Sequence, residues 1–218
     1  MKFVESAVLS RVAAFSAMNL TPTRSPRLLN EIADLVFSEL HVLALCLMTP
    51  GEGVTMIEIG ENSVVVDVGY RETRVETFVG WELVDRVVVE RGGCHVESLS
   101  DSSDADPREV IFSADSNGES VPETLRRVLE LHELISSVVV VGSTSFRFDK
   151  QYMADKCGVS FNGRTVKYIL PPERNKSAWL GASIAADVKF CQHRFYTASQ
   201  WKEQETLYVP LMKPPPSI

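Results

Sequence analysis

The apolar positions of this chain change their period several times, and each change marks a candidate element. Ser137 to Val141 is an unbroken β-branched run, the pattern of a strand buried on both faces. Val64 to Asp67 and Arg74 to Phe78 are two further strand-like runs joined by Val68-Gly69-Tyr70-Arg71-Glu72-Thr73, and Trp81 to Val89 predicts a third strand. Val121 to Leu134 switches to helical spacing, with Leu125, Val128, Leu129 and His132 on one side. Earlier in the chain, Ser25 offers an N-cap, Pro26 suits a first helical position, and Leu28, Leu29 and Ile32 share a face. Periodicity alone carries that helix to Met48, after which Gly51 and Gly53 punctuate a turn. Thr165 to Leu170 reads as strand and stops at Pro171-Pro172, because proline has no N–H for a ladder. Ser177 is a candidate N-cap for the next helix. On it Leu180, Ile184 and Val188 fall four apart, while Gly181, Ala182, Ala185 and Ala186 permit close backbone approach. The tract from Ser98 to Pro107 is too acidic and too poor in apolar residues to pack, and predicts an exposed, mobile loop.

Strands alternating with helices around a doubly buried strand indicate an α/β fold: a mixed sheet with flanking helices. The 218 residues suffice for one or two small domains with their own cores. A hydrophobic content of 44% with 23% charged residues is that of an ordinary globular protein. The net charge of −7 argues against an electrostatic nucleic-acid footprint. No apolar run reaches the ~20 residues that span a bilayer, so no membrane insertion is expected. The opening Met1-Lys2-Phe3-Val4-Glu5 places an acid too early for a signal peptide. Cys46, Cys94, Cys157 and Cys191 are far apart, which predicts reduced thiols, and four scattered histidines predict no metal site. Asp101, Asp104 and Asp106 lack the glycine and closing glutamate of an EF-hand, and Ser143-Thr144-Ser145 lacks a nucleophile elbow, so no catalytic residue is assigned.

One segment says more. Leu170-Pro-Pro-Glu-Arg-Asn-Lys-Ser-Ala-Trp-Leu-Gly-Ala-Ser-Ile184 closely resembles the P-P-E-R…S-W-x-G-x-S-I stretch of actins and actin-related proteins. Further islands match in order: Phe3-Val-Glu-Ser-Ala-Val-Leu9, His41-Val-Leu-Ala-Leu45, Val65-Val-Asp-Val-Gly-Tyr-Arg-Glu72, Arg108-Glu-Val-Ile-Phe112 and Val140-Val-Gly-Ser-Thr-Ser145. Asp67-Val-Gly-Tyr-Arg-Glu72 and Pro210-Leu-Met-Lys-Pro214 are most similar to the actin-related subgroup at the pointed end of dynactin. The resemblance implies the ribonuclease-H-like superfold of actins, sugar kinases and heat-shock chaperones, truncated, with the N-terminal part and the fourth subdomain missing. It implies a first-lobe remnant at 1–60, a second-lobe sheet domain at 61–170 with its acidic loop at 98–107, and a C-terminal helix and tail at 171–218 returning to the first lobe. It also breaks the early helix, placing a short strand at Leu35 to Phe37 and a new helix from Ser38.

Actins clamp ATP and its metal between two glycine-rich hairpins. By resemblance a vestigial nucleotide site falls on Asp67, Gly69, Gly142, Ser143 and Lys176. By the same resemblance the first hairpin is expected to be missing, Tyr70-Arg71 to replace small residues, and Leu40 to stand where a glutamine orients the attacking water. Ser143 replaces a glycine, and Asn175 stands at the adenine-flanking lysine, with Lys176 one residue on. Asp67 and Gly142 read as fold requirements, and Arg71 as the ion-pair partner of Glu72 or a neighbouring acid. The expectation is therefore no enzyme and no cofactor, with ATP or ADP binding as the alternative. The resemblance implies a non-catalytic, cytoplasmic, cytoskeleton-associated structural subunit, with an actin-like filament and other subunits of a dynactin-type complex as partners. An actin-type ATPase and a nuclear actin-related subunit of a chromatin remodeller are the alternatives. Candidate interface residues are Phe190, His193, Phe195, Tyr196, Trp201, Tyr208 and Leu211, which read equally well as a C-terminal segment packed on its own domain.

Overall fold

In the computed structural model, which describes residues 26–58, 61–99, 106–187 and 195–203, the valine runs meet in one sheet. Its strands are β1 (Ser63–Val68), β2 (Thr73–Val79), β3 (Glu82–Val89), β4 (Ser137–Val141) and the later β7 (Lys167–Ile169), in the order β3-β2-β1-β4-β7. β2 runs antiparallel to both neighbours, while β1, β4 and β7 are parallel. The architecture is mixed α/β. By contact the chain divides into two compact units, 1–57 with 178–218, and 58–177.

The sheet unit, 58–177, carries α3 (Gly93–Leu99), α4 (Glu109–Phe112), α5 (Val121–Leu131) and α6 (Lys150–Cys157). Because side chains alternate along a strand, Val64, Val66, Val68, Val75, Val138 and Val140 share one face. They pack with Ile111, Leu125, Leu129 and Met153 into a single apolar cluster. On the other face the register sets Asp67 opposite Arg74 and Glu76 opposite Arg86. Val65 and Val139 are buried there too, so the central strands are covered on both sides, as the unbroken β-branched run predicted. Helix α5 stops at Leu131, before the expected Leu134, and both leucines are exposed. Trp81 is not in a strand. It sits with Gly80 at the tip of the β2–β3 turn, both with positive φ (70° and 61°), a primed turn that suits the twist of the hairpin.

Two features close this unit. Asn162-Gly163, both left-handed (φ 49° and 76°), make the tight turn between β5 (Ser160–Phe161) and β6 (Arg164–Thr165). That turn aims Arg164 at the end of α5, where its guanidinium donates to Leu129 O (2.6 Å), Ile135 O (2.8 Å) and Glu133 O, orphan carbonyls of a helix end and its exit. At the β3 edge, Arg86 N–H donates to Asp85 Oδ1 (2.7 Å), and the Glu90 N–H just beyond it to Asp115 Oδ2 (2.9 Å). Carboxylates on edge amides discourage strand addition.

The other unit holds α1 (Pro26–Ser38), α2 (Pro50–Glu58), α7 (Ser177–Asp187) and α8 (Ala198–Glu203). Four expectations fail here. Leu35 to Phe37 is the last turn of α1, not a strand, and no helix starts at Ser38. Instead Leu45 and Tyr196 form an antiparallel bridge with reciprocal N–H···O bonds of 2.8 Å. Gly51 and Gly53 lie inside α2 rather than in a turn. A capping box starts that helix: Thr49 N–H donates to Glu52 Oε2 (2.6 Å) and Glu52 N–H to Thr49 Oγ1 (3.1 Å), with Pro50 as first residue. Gly53 is required because a Cβ there would overlap the Ala178 backbone, and Gly181 lies as close to the Gly53 carbonyl. The small face of α7 is accordingly the buried one, through Ala182, Ala185 and Ala186, while Ile184 and Trp179 are exposed. Ser177 is the first helical residue, and its hydroxyl donates to Glu173 O (3.3 Å) instead of accepting as an N-cap.

Candidate functional site

In an open α/β sheet, ligands bind beyond the carboxyl ends of adjacent parallel strands whose connections leave in opposite directions. Here those strands are β1, which leads into β2, and β4, which leads towards β7 on the other side. Their ends carry Asp67-Val68-Gly69 and Gly142-Ser143-Thr144-Ser145. Four of the five expected site residues thus fall at one switch point.

The turn after β4 presses directly on the end of β1. Gly142 has φ 93°, and a Cβ on it would lie 2.6 Å from Asp67 Oδ1 and 2.7 Å from the Val68 carbonyl carbon. Its N–H donates to Arg174 O (3.0 Å), and its carbonyl accepts the Ser145 hydroxyl (2.6 Å). The Thr144 hydroxyl crosses to Gly69 O (2.9 Å). The Thr144 and Ser145 hydroxyls are thus both engaged by backbone carbonyls.

The β1–β2 turn is engaged in turn by the start of α3. Gly93 N–H donates to Gly69 O (3.1 Å) and Cys94 N–H to Tyr70 O (2.8 Å), while Gly69 N–H closes the turn on Glu72 O (3.0 Å). Gly92 packs so tightly here that a Cβ would meet Tyr70 O at 2.6 Å. Its own N–H donates to His95 Nδ1 (3.1 Å), so His95 plays the part a glutamate plays in a capping box. The Tyr70 ring lies across Gly93, and its hydroxyl donates to Glu97 Oε2 (3.1 Å). That hydrogen bond raises the phenol's pKa. The other Glu97 oxygen is 3.8 Å from the Arg147 guanidinium, beside the β4 turn.

Asp67 faces Arg74 across the turn. Burial pushes its carboxyl pKa up, against the pull of Arg74, whose Nη1 is 3.9 Å away. Arg74, not Arg71, is the partner of Glu72, through Nε (2.8 Å) and Nη2. Arg71 is exposed. The expected Arg71–Glu72 pair is replaced because Glu72 and Arg74, two residues apart, fall on the same side of the chain, where Arg74 also faces Asp67 across the turn. Beyond the β4 turn, Arg174 stacks on Phe146 with its guanidinium carbon 4.4 Å from the ring centroid, and donates to Phe148 O (3.3 Å). Lys176 and Ser143 are exposed and are not drawn into this network. ATP with a metal ion needs free N–H groups and small residues at these turns, whereas the Gly69 and Gly142 N–H groups are bonded to Glu72 O and Arg174 O and Tyr70-Arg71 is bulky. The residues present do not fit that group.

Of the expected interface residues, Trp201 is buried and meets Tyr196 edge-on, with centroids 6.1 Å apart. Phe195 packs half-buried against the apolar clusters of its own unit. All three pack against the apolar cluster of their own unit, Trp201 buried and Phe195 and Tyr196 half-buried. Phe190, His193, Tyr208 and Leu211 lie outside the described residues, as do Phe3 to Leu9 and Pro210 to Pro214. Sequence reasoning missed Thr144, His95, Phe146 and Arg174; only the spacing of His95 from Gly92 carried a readable signal, as a capping position. No protein-family model matches the sequence. No helix among the described residues is long and apolar enough to cross a membrane.

Proposed function

We propose that this chain is a non-catalytic, actin-like structural subunit of a cytoplasmic cytoskeletal assembly, of the kind found at the pointed end of dynactin. One observation carries the non-catalytic part: the two turns that would have to cradle a nucleotide are bonded to each other and to α3 instead. The strand order supports a ribonuclease-H-like reading. An antiparallel β1–β2–β3 meander followed by crossovers to parallel strands is the hairpin-then-crossover arrangement expected of that superfold. The P-P-E-R…S-W-x-G segment also supports it: Gly181, within that match, sits where only glycine fits.

Co-sedimentation of the full chain with preformed dynactin-type filaments tests the assembly role. A pointed-end subunit pellets with them and saturates far below one copy per filament protomer. No pelleting above a filament-free control, or saturation near one per protomer, refutes the end-binding role. The non-catalytic role is tested by thermal unfolding with Mg-ATP. A ligand at a hundred times its Kd stabilises by about 2.7 kcal/mol, so a rise of several degrees overturns the reading and an unchanged Tm supports it.

A further inference from the structure

We propose that the crevice between the β1 and β4 ends is held shut by a latch made of the chain's own side chains, so that closure needs no ligand. The latch has two arms. The first is the Thr144 hydroxyl on Gly69 O, a direct bond between the two turns. The second is the relay from Tyr70 through Glu97 to Arg147, which ties the β1–β2 turn to α3 and α3 to the segment after β4.

Backbone bonds from the start of α3 reinforce both arms. Gly69 O accepts from Thr144 and from Gly93 N–H, and Tyr70 O accepts from Cys94 N–H. Opening the crevice and releasing α3 would break these three hydrogen bonds and the Tyr70–Glu97 bond, and would lift the Tyr70 ring from Gly93. A bound phosphate does comparable work in folds that bridge such turns with a ligand, by giving the facing backbone groups a common partner. Here a hydroxyl and a tyrosine supply the partners. The glycines at 92, 93 and 142 let the backbones approach closely enough for it, since a Cβ at each would collide. The inference stands on this geometry alone and goes beyond the actin-like assignment. A chain that fails to bind filaments can still carry the latch.

Amide hydrogen exchange of the full chain, read by mass spectrometry with and without Mg-ATP, tests it. Tyr70→Phe removes only the hydroxyl and keeps the ring on Gly93; Thr144→Val is nearly isosteric. The wild type is expected to protect peptides over 67–73, 92–97 and 142–147 without nucleotide. Each variant is expected to speed exchange in all three peptides together, by roughly fivefold to tenfold per lost bond, and to leave the β4 amides unchanged. Tyr70→Phe is the decisive arm should Thr144→Val fold poorly. Protection that arises only on adding Mg-ATP overturns the latch. So does Tyr70→Phe exchange that matches wild type, or that quickens in the 67–73 peptide alone.

Discussion

Replacing Gly142 with alanine separates the two demands that this position makes. The first is conformational: φ 93° with ψ 156° is a region that residues with a Cβ avoid, at a cost of about 1–3 kcal/mol. The second is steric. The new methyl would lie 2.6 Å from Asp67 Oδ1 and 2.7 Å from the Val68 carbonyl carbon, and relieving such overpacking costs about 1–3 kcal/mol more. Gly118 provides the control, because it too has a positive φ (81°) but nothing lies within 4 Å of an added Cβ. Gly118→Ala should therefore cost about 1–2 kcal/mol and Gly142→Ala about 3–5 kcal/mol. Urea unfolding followed by far-ultraviolet circular dichroism reads the difference. With a slope of about 2 kcal/mol per molar, the Gly142 midpoint should fall by roughly 2 M and the Gly118 midpoint by less than about 1 M. Equal shifts for the two variants would refute the close approach of the β1 and β4 ends.

Three other outcomes follow from the same geometry. Asp67 has a folded pKa raised by burial, so its protonated form is the favoured one: its contribution is full below the unfolded value of about 4 and is lost as pH rises through the folded value. Asp67→Asn should accordingly flatten the decline of Tm from pH 4 upward and leave the protein at least as stable at neutral pH; a lower neutral Tm would show that the ion pair with Arg74 outweighs desolvation. Arg164→Ala leaves the carbonyls at the end of α5 without their donor and should cost about 2–4 kcal/mol in the same urea assay, whereas a loss under about 0.5 kcal/mol would mean that solvent replaces it freely. Burial pushes the Cys157 thiol to about 12, and Cys94 is partly exposed, so iodoacetamide at mild alkaline pH should label Cys94 well before Cys157, as peptide mass spectrometry would report.

Local rules made much of this molecule legible in advance. The β-branched run at 137–141, the paired strands around residues 68–73 and the amphipathic stretch from Val121 each declare themselves by period, because alternation and helical spacing need only neighbouring residues. Two local signals were also present and unread: Thr49-Pro50-Gly51-Glu52 spells a capping box, and Asn162-Gly163 spells a hairpin. At Leu35 to Phe37 the helical period holds to the end of α1, and the strand implied by the resemblance does not form.

Other features depended on which distant segments meet. Two glycines in nine residues argue against a helix at 50–58 until Gly53 is seen against Ala178 and Gly181, where no larger residue fits. The buried side of α7 is its small face rather than its leucine–isoleucine stripe for the same reason. At the candidate site, the residue types at 67, 69 and 142 marked a place, and their spacing could not say what occupied it. That was decided by Thr144 and the start of α3, which are remote along the chain from Gly69 and fill the hydrogen bonds of its carbonyl. Period and capping are properties of a few consecutive residues; desolvation and close approach exist only once the backbone has brought remote ones together.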